Sequence, residues 1–290
     1  MLTLSETAAA PMAGAANPYQ PHMARIVTIR NAVPDNHIFT FRFVEEHLAR
    51  TFEHRPGQFL MLSVPGSGEA PFSICSSPSR PGVLEVCVRK AGRVTHALYR
   101  LHMNDLVGIR GPFGNGFPVE RMRGNDLLIA AGGLGMAALR PLLWYALDNR
   151  EEFKRITVMY GARKPADMLF ADEMAMLVNR SDIRCLLTVD EDPTDTWRYY
   201  TGYLPQLFNY ARPDPARTCA AVCGPPVVFR LMVQRLLELG FTKDRIYMSL
   251  ERRMKCGIGK CGHCSVGYKY TCIHGPIFTY WDAINLPEVI

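Results

Sequence analysis

The stretch Asp126-Leu127-Leu128-Ile129-Ala130-Ala131-Gly132-Gly133-Leu134-Gly135-Met136-Ala137-Ala138 predicts the fold of the second half of the chain. An apolar run typical of a buried strand leads into a glycine turn, and a helical pattern follows. Gly133, Gly135 and Ala138 match the G-x-G-x-x-G/A pattern of dinucleotide-binding turns in the required strand–turn–helix context. Such glycines let the backbone approach a pyrophosphate, whose charge the helix N-terminus attracts. Gly132, Gly133 and Gly135 are therefore candidate nucleotide-binding residues.

Strand-like runs alternate with helical patterns through the rest of this half. The runs are Ile156–Tyr160, Asp182–Asp190, Cys219–Cys223 and Ile246–Glu251. This alternation predicts a doubly wound parallel sheet, which binds its ligand at the carboxyl ends of the strands. Candidate residues at such ends are Gly132, Arg163, Cys223 and Ser249.

The second of these strands ends in Gly161-Ala162-Arg163-Lys164. A site for NAD places Asp or Glu after this strand to bind the ribose 2′-hydroxyl, whereas this chain has Arg163 and Lys164. The two cations predict a site that accepts a 2′-phosphate, so that NADP(H) is favoured over NAD(H). A pair of solvated loop residues is the alternative interpretation.

Short strand-like runs separated by turns dominate the first half of the chain. They are Arg25–Ile29, His37–Phe43, Phe59–Val64, Phe72–Cys75 and Val83–Arg89. Several short strands at this spacing predict an antiparallel barrel. The run Gly92-Arg93-Val94-Thr95 then indicates a glycine turn that opens a short helix, where a pyrophosphate can bind. Taken alone, such a turn more often has a purely structural role.

A cluster of cysteines lies near the C-terminus. Cys256, Cys261, Cys264 and Cys272 have the spacing C-x4-C-x2-C-x7-C, and its first three positions match the plant-type ferredoxin pattern for a [2Fe–2S] cluster. The glycines between them tolerate the tight turns that aim thiolates inward. The alternative is a four-cysteine zinc site, although zinc usually takes paired C-x2-C hooks and only Cys261 and Cys264 form one. These four cysteines are the predicted metal ligands.

The composition of the chain argues against several classes of function and location. The chain has 290 residues, 33 Lys and Arg against 27 Asp and Glu, and nine cysteines. Its mild, scattered positive charge argues against nucleic-acid binding, and no apolar run approaches the roughly 20 residues of a membrane span. The N-terminus lacks the features of a secretory signal, and residues 1–21 are expected to form a disordered lead-in. The other cysteines have the contexts of buried thiols, which predicts a reducing, cytoplasmic location.

Together these motifs resemble the ferredoxin–NADP⁺ reductase superfamily. The resemblance rests on Phe72-Ser73, Gly92–Thr95, Gly132–Gly135, Tyr160–Arg163 and Cys223–Pro226. The cysteine loop, with Gly111–Pro118 and Gly275–Ala283, makes the chain similar to the gamma subunits of the cytosolic bidirectional [NiFe] hydrogenases, the sulfhydrogenases. The resemblance runs from about Asn17 to the C-terminus.

The resemblance implies a fold with α/β and all-β parts. An N-terminal antiparallel FAD-binding β-barrel would span residues 22–120, and a doubly wound parallel NAD(P)-binding domain would span residues 121–250. A C-terminal segment over residues 251–290 would carry the [2Fe–2S] loop.

The resemblance also implies the cofactor sites. Phe72 and Ser73 would lie beside the flavin ring. The ribityl chain and phosphates of FAD would meet Val88, Arg89, Lys90, Gly92, Val94 and Thr95. The nicotinamide nucleotide would meet Gly132, Gly133, Gly135, Arg163, Cys223, Gly224 and Pro225. Cys223 would be either a polar contact for the nicotinamide or a small buried thiol.

Three positions depart from the usual pattern, Ala70, Ala138 and His274, and the first bears on flavin binding. Many related reductases have an arginine at position 70 that grips the FAD pyrophosphate, and this chain has Ala70. The departure implies either weaker flavin binding or a substitute in Arg89 and Arg93.

The implied activity is an electron relay among NADP(H), FAD and the cluster. The implied partners are the large and small subunits of a [NiFe] hydrogenase and a further iron–sulfur subunit, in a heteromeric complex. Equivalent subunits of anaerobic sulfite reductase and dihydroorotate dehydrogenase are similar over most of this length and are alternatives. A different class, a zinc-stapled nucleotide-binding sensor or scaffold, is also open.

Overall fold

The computed structural model describes residues 17–286. The expected lead-in over residues 1–21 therefore lies largely outside the described part of the chain. The first element is an antiparallel barrel of six strands: β1 (His22–Val33), β2 (Asn36–Phe43), β3 (Phe59–Val64), β4 (Gly68–Ser73), β5 (Leu84–Arg89) and β6 (Leu106–Phe113). The short helices of this part are α1 (Glu46–Thr51), α2 (Arg93–Leu98) and α3 (Val119–Met122).

The barrel strands are ordered β4-β3-β6-β1-β2-β5. A bridge between Ile74 and Val86 joins the two outer strands and closes the barrel. Alternating side chains fill its interior, among them Phe39, Phe41 and Leu60, which are almost fully buried. This is the burial pattern expected where one face of each strand meets the core.

The second half forms a parallel sheet flanked by helices. Its strands are β7 (Asp126–Gly132), β8 (Ile156–Ala162), β9 (Arg184–Val189), β10 (Tyr200–Thr201), β11 (Thr218–Cys223) and β12 (Ile246–Ser249). Its helices are α4 (Gly135–Asp148), α5 (Ala171–Val178), α6 (Phe208–Ala211) and α7 (Pro226–Glu238). Every residue of β7, β8 and β11 is buried, because helices cover both faces of a parallel sheet.

The C-terminal segment starts away from this sheet and returns to it. Its elements are β13 (Ser265–Val266), β14 (Lys269–Tyr270), α8 (Thr271–His274), β15 (Ile277–Thr279) and α9 (Tyr280–Ile284). Strand β15 pairs antiparallel with β12 and completes a seven-stranded sheet in the order β10-β9-β8-β7-β11-β12-β15. The sequence did not predict this strand.

A buried ion-pair network joins the barrel to the parallel-sheet domain. Arg140 of α4 donates to the Cys75 carbonyl at 2.7 Å and to Glu85 Oε2 at 2.9 Å, both in the barrel. The same guanidinium makes two bonds to Glu173 of α5, at 2.8 and 2.7 Å. Arg140 is only 7% exposed, so water cannot easily replace these bonds. They therefore fix the position of the barrel relative to the parallel-sheet domain.

Candidate functional site

The glycine turn after β7 is packed tightly against the turn after β11. A methyl group on Gly135 would collide with the carbonyl of Cys223, and one on Gly132 would lie 2.9 Å from the Val228 side chain. Gly133, by contrast, has a φ of +52° and no atom within 4 Å of the position of a Cβ. The turn is therefore closed on its inner side and open at Gly133, which is the shape that a dinucleotide requires.

A buried tyrosine holds this turn in place. The Tyr160 hydroxyl at the end of β8 donates to the Gly133 carbonyl at 3.1 Å and accepts the Leu169 N–H at 2.9 Å. Burial raises the pKa of Tyr160, so its proton stays available for the bond to Gly133. The sequence marked Tyr160 as a strand residue and as part of the Tyr160–Arg163 motif but did not predict its bond to the glycine turn, since that role depends on contacts made in three dimensions.

The turn after β11 contains Cys223, Gly224 and Pro225. The Cys223 thiol is buried and donates to the Ser249 carbonyl at 3.6 Å. Burial raises the pKa of Cys223 to about 12, so the group is a neutral thiol. This environment favours the buried-thiol interpretation, while Gly224 and Pro225 lie nearer the surface at the start of α7.

The two cations after β8 share one carboxylate. Arg163 Nε and Lys164 Nζ each lie 3.4 Å from Glu191 Oε1. The Glu191 N–H also donates to the Arg163 carbonyl at 3.1 Å, which holds the carboxylate beside them. The sequence did not identify Glu191. The residue introduces a negative charge at the position where the cations predict a phosphate.

The predicted flavin residues lie on β4, on β5 and at the turn before α2. Phe72 and Ser73 end β4 and are partly exposed, whereas Val88 is buried and Arg89 and Lys90 are exposed at the end of β5. The start of β4 approaches the start of α2, since a Cβ on Gly68 would lie 3.8 Å from Val94. The turn before α2 is thus next to the start of β4, whereas Phe72 and Ser73 lie at the other end of this strand.

The turn before α2 is shaped by its own threonine. Thr95 Oγ1 accepts the N–H groups of Ala91 and Gly92 at 2.9 and 2.8 Å and donates to the Gly92 carbonyl. Arg93 Nε donates to the Ser67 carbonyl at 2.7 Å. Thr95 therefore positions the Gly92 turn, and Arg93 is anchored to the β3–β4 turn.

The four cysteines of the loop lie near one another. Cys256 interacts with Cys261, and Cys272 interacts with both Cys264 and Cys256. Within the described residues, no group of three or more His, Cys, Asp and Glu side chains is arranged to hold a single metal ion. Four neighbouring thiols can hold a two-iron cluster, in which each iron takes two protein ligands.

Backbone N–H groups point at these sulfurs. Lys260 N–H donates to Cys256 Sγ at 3.3 Å, and Gly259 N–H donates to Cys272 Sγ at 3.2 Å. Although burial opposes ionisation, N–H groups at Cys256 lower the pKa of its thiol to about 7. Burial raises the pKa of Cys272 to about 12. Amide donors of this kind stabilise the thiolate that binds a metal, so the loop fits an iron–sulfur cluster.

The cysteine loop is seated on the barrel. Cys264 and Cys272 are buried against Phe59 and Met61 of β3, whereas Cys261 is exposed. Asn115, which follows β6, donates to the carbonyls of His274 and Ile277 at 3.0 and 2.7 Å. The buried pair of cysteines thus faces the barrel, and the exposed cysteine faces solvent.

Models of three protein families match consecutive parts of the chain. An oxidoreductase FAD-binding domain matches residues 24–117, and an oxidoreductase NAD-binding domain matches residues 128–234. The iron–sulfur cluster binding domain of dihydroorotate dehydrogenase B matches residues 251–283. The matches follow the barrel, the parallel-sheet domain and the cysteine loop in order.

Whole-length comparisons agree. The chain is 43% identical to the sulfhydrogenase 1 subunit gamma of Pyrococcus furiosus over 94% of this chain and 96% of that protein. It is 32% identical to a probable dihydroorotate dehydrogenase B electron transfer subunit of the same organism, over 82% of this chain and 85% of that protein. A solved NADH-dependent reduced ferredoxin–NADP oxidoreductase shares the fold, with a TM-score of 0.70 at 24% identity over 89% of this chain and 88% of that one.

The fold and these matches define an oxidoreductase with FAD-binding, NAD-binding and iron–sulfur-binding parts. More narrowly, the chain belongs to the family of sulfhydrogenase gamma subunits. The predicted fold class and cofactors are thereby confirmed, and the zinc alternative loses its support. No helix among residues 17–286 is long and apolar enough to cross a membrane.

Proposed function

We propose that the chain passes electrons between NADP(H) and a [NiFe] hydrogenase partner, in either direction. The observation that carries this proposal is the seating of Cys264 and Cys272 on β3, the neighbour of the strand that holds Phe72 and Ser73. When bound, FAD exchanges a hydride with the nicotinamide and single electrons with a [2Fe–2S] cluster. The chain's own residues would hold these groups close together.

The proposal assigns the following residues to the cofactor sites. Cys256, Cys261, Cys264 and Cys272 hold the cluster, and Phe72 and Ser73 border the flavin. The FAD chain and phosphates lie along Val88, Arg89, Lys90, Gly92, Val94 and Thr95. The nucleotide lies over Gly132, Gly133 and Gly135 and reaches Arg163, Gly224 and Pro225, while Cys223 is the buried thiol beneath this turn. The corresponding domains are residues 22–120, 121–250 and 251–290, the last of which returns a strand to the second.

The partner proposal rests on the relatives. The hydrogenase large and small subunits and a further iron–sulfur subunit would complete a heteromeric, cytoplasmic complex. The higher identity and coverage of the sulfhydrogenase subunit favour this partner over a dihydroorotate dehydrogenase. Native mass determination of the purified complex tests it, and a fully active lone monomer would argue against it.

The relay itself is tested by the visible spectrum and metal content of anaerobically purified protein, before and after NADPH. We expect flavin absorbance, about two irons and about two labile sulfides per chain, and bleaching by NADPH. About one zinc per chain without flavin would refute the redox function.

A further inference from the structure

A buried arginine connects the flavin side of the barrel to the first cysteine of the loop. Arg110 of β6 is 4% exposed. Its guanidinium makes two bonds to the Glu69 carboxylate on β4, at 2.9 and 2.6 Å. The same group donates to the Cys256 carbonyl at 3.0 Å and to the Pro18 carbonyl at 2.8 Å.

This ion pair lies next to apolar side chains, which is unusual for charged groups. The Arg110 guanidinium lies 5.5 Å from the centre of the Phe113 ring, and Phe113 packs with the group formed by Phe59, Met61, Cys264 and Cys272. Charges in such surroundings are weakly screened, so they act more strongly than surface charges. Arg110 is buried and the Glu69 side chain is 23% exposed, so removing Glu69 leaves a buried positive charge uncompensated and removing Arg110 leaves a partly exposed negative one.

We propose that Arg110 is a positioning residue that holds Cys256 and, balanced by Glu69, sets the reduction potential of the cluster. This inference rests on the proposed function, because it requires a cluster on the four cysteines. Reduction adds one negative charge. An uncompensated positive charge nearby therefore raises the midpoint potential, and an uncompensated negative charge lowers it.

The test is a pair of substitutions with opposite expected signs. Glu69→Gln leaves Arg110 uncompensated and should increase the ratio of reduced to oxidised cluster at a fixed potential about tenfold, or about 59 mV for one electron. Arg110→Gln leaves Glu69 uncompensated and should lower that ratio by a similar factor. The double variant should return close to the unmodified protein, whereas a purely structural role would not produce this reversal of sign.

The measurement is a redox titration of the cluster signal by electron paramagnetic resonance, with chemical mediators in place of NADPH and with iron content as a second readout. Glu46→Gln, in the exposed pair of Glu46 with Arg50, is the matched control and should shift the ratio less than twofold. Should Arg110→Gln not fold, Arg110→Lys keeps the charge and should stay within about threefold of the unmodified protein while Glu69→Gln still shifts it.

Shifts of the two single variants in the same direction, or shifts below twofold in Glu69→Gln, would overturn the proposal. Failure of the relay itself has a different signature. In that case the unmodified protein would contain no iron, or would not be reduced by NADPH although mediators reduce its cluster.

Discussion

Phe59 lies directly opposite Ser73 in the β3–β4 ladder. Phe59 packs against Cys264 and Cys272, while Ser73 is the proposed flavin contact. The Cα atoms of such partners in an antiparallel ladder are about 4.5–5.5 Å apart. The proposed flavin and cluster sites are therefore separated by the width of one strand pair, with no mobile segment between them in the described fold.

Substitution of a loop cysteine should lower the iron content of the protein, whereas substitution of another cysteine should not. We expect Cys256→Ser and Cys264→Ser to lower iron from about two per chain to below one while flavin content stays unchanged. Cys185→Ser is the matched control, because Cys185 is a free thiol on β9. Iron analysis and the visible spectrum check this, and two irons retained in either loop variant would contradict the ligand assignment.

Gly135→Ala should weaken nucleotide binding. The added methyl group meets the Cys223 carbonyl, so the turns after β7 and β11 must separate. We expect the Michaelis constant for NADPH to rise at least tenfold, since the turn geometry at the pyrophosphate is lost. Gly66→Ala strains a barrel turn at a φ of +73° without a clash within 4 Å, so it controls for a loss of stability alone. An unchanged constant in Gly135→Ala would remove the turn from the nucleotide site.

Arg163 and Glu191 should act in opposite directions on nucleotide choice. Arg163→Ala removes a cation available to the 2′-phosphate and should lower the preference for NADPH over NADH about tenfold. Glu191→Gln frees Arg163 and Lys164 from their shared carboxylate and should raise that preference. Steady-state kinetics with both nucleotides measure the ratio. A ratio that Arg163→Ala leaves untouched would refute the phosphate assignment.

Arg140→Gln should destabilise the protein strongly. The substitution leaves the half-buried Glu173 without its cation and the buried Glu85 with Arg30 alone, and breaking a buried pair costs about 3–5 kcal/mol. Chemical denaturation of the protein measures the free energy of unfolding. Arg180→Gln, in an exposed pair with Asp182, should change it by less than about 1 kcal/mol. Equal effects of the two variants would mean that Arg140 does not join the domains.

His54 should make the barrel sensitive to acid. Burial lowers the pKa of His54 to about 4, against a small opposing effect of the Arg55 carbonyl. The unfolded chain, with a histidine pKa near 6.5, therefore binds the proton first, and stability falls as the pH drops from about 6.5 to 4. His54→Gln should lose less stability over this range than the unmodified protein. Parallel pH dependences of the two unfolding free energies would contradict this.

The strands that the sequence predicted well are those with an uninterrupted run of apolar residues. Strands β7, β8 and β11 are continuous apolar runs, and they are buried along their whole length. Strand β6 was not predicted because Gly108, Gly111 and Pro112 interrupt its alternation. Strand β15 has three residues, too few to show a period, and it forms because β12 offers a free edge.

The residues of the functional site also differ in how strong their signal in the sequence is. The glycine turn and the four cysteines are local patterns, so they can be recognised as candidates from their spacing alone. Arg110 and Arg140 had no such signal, because their partners are distant in sequence: Cys256 lies 146 residues from Arg110, and Cys75 lies 65 residues from Arg140. A charge that is buried by folding looks like any surface charge in the linear sequence.

The pairing of β12 with β15 has a consequence for the architecture as a whole. Ser249 lies opposite Ile277, and the Leu250 N–H donates to the Pro276 carbonyl at 2.9 Å. The excursion that carries the cysteines thus leaves and re-enters the sheet at neighbouring points, as an insertion in a hairpin does. The cysteine segment is therefore an insertion between two paired strands. Joining Ser249 to Ile277 through a two-residue turn would yield a flavin reductase without its own iron–sulfur cluster. Replacing the insertion with another metal-binding segment would give the same reductase a different terminal electron carrier.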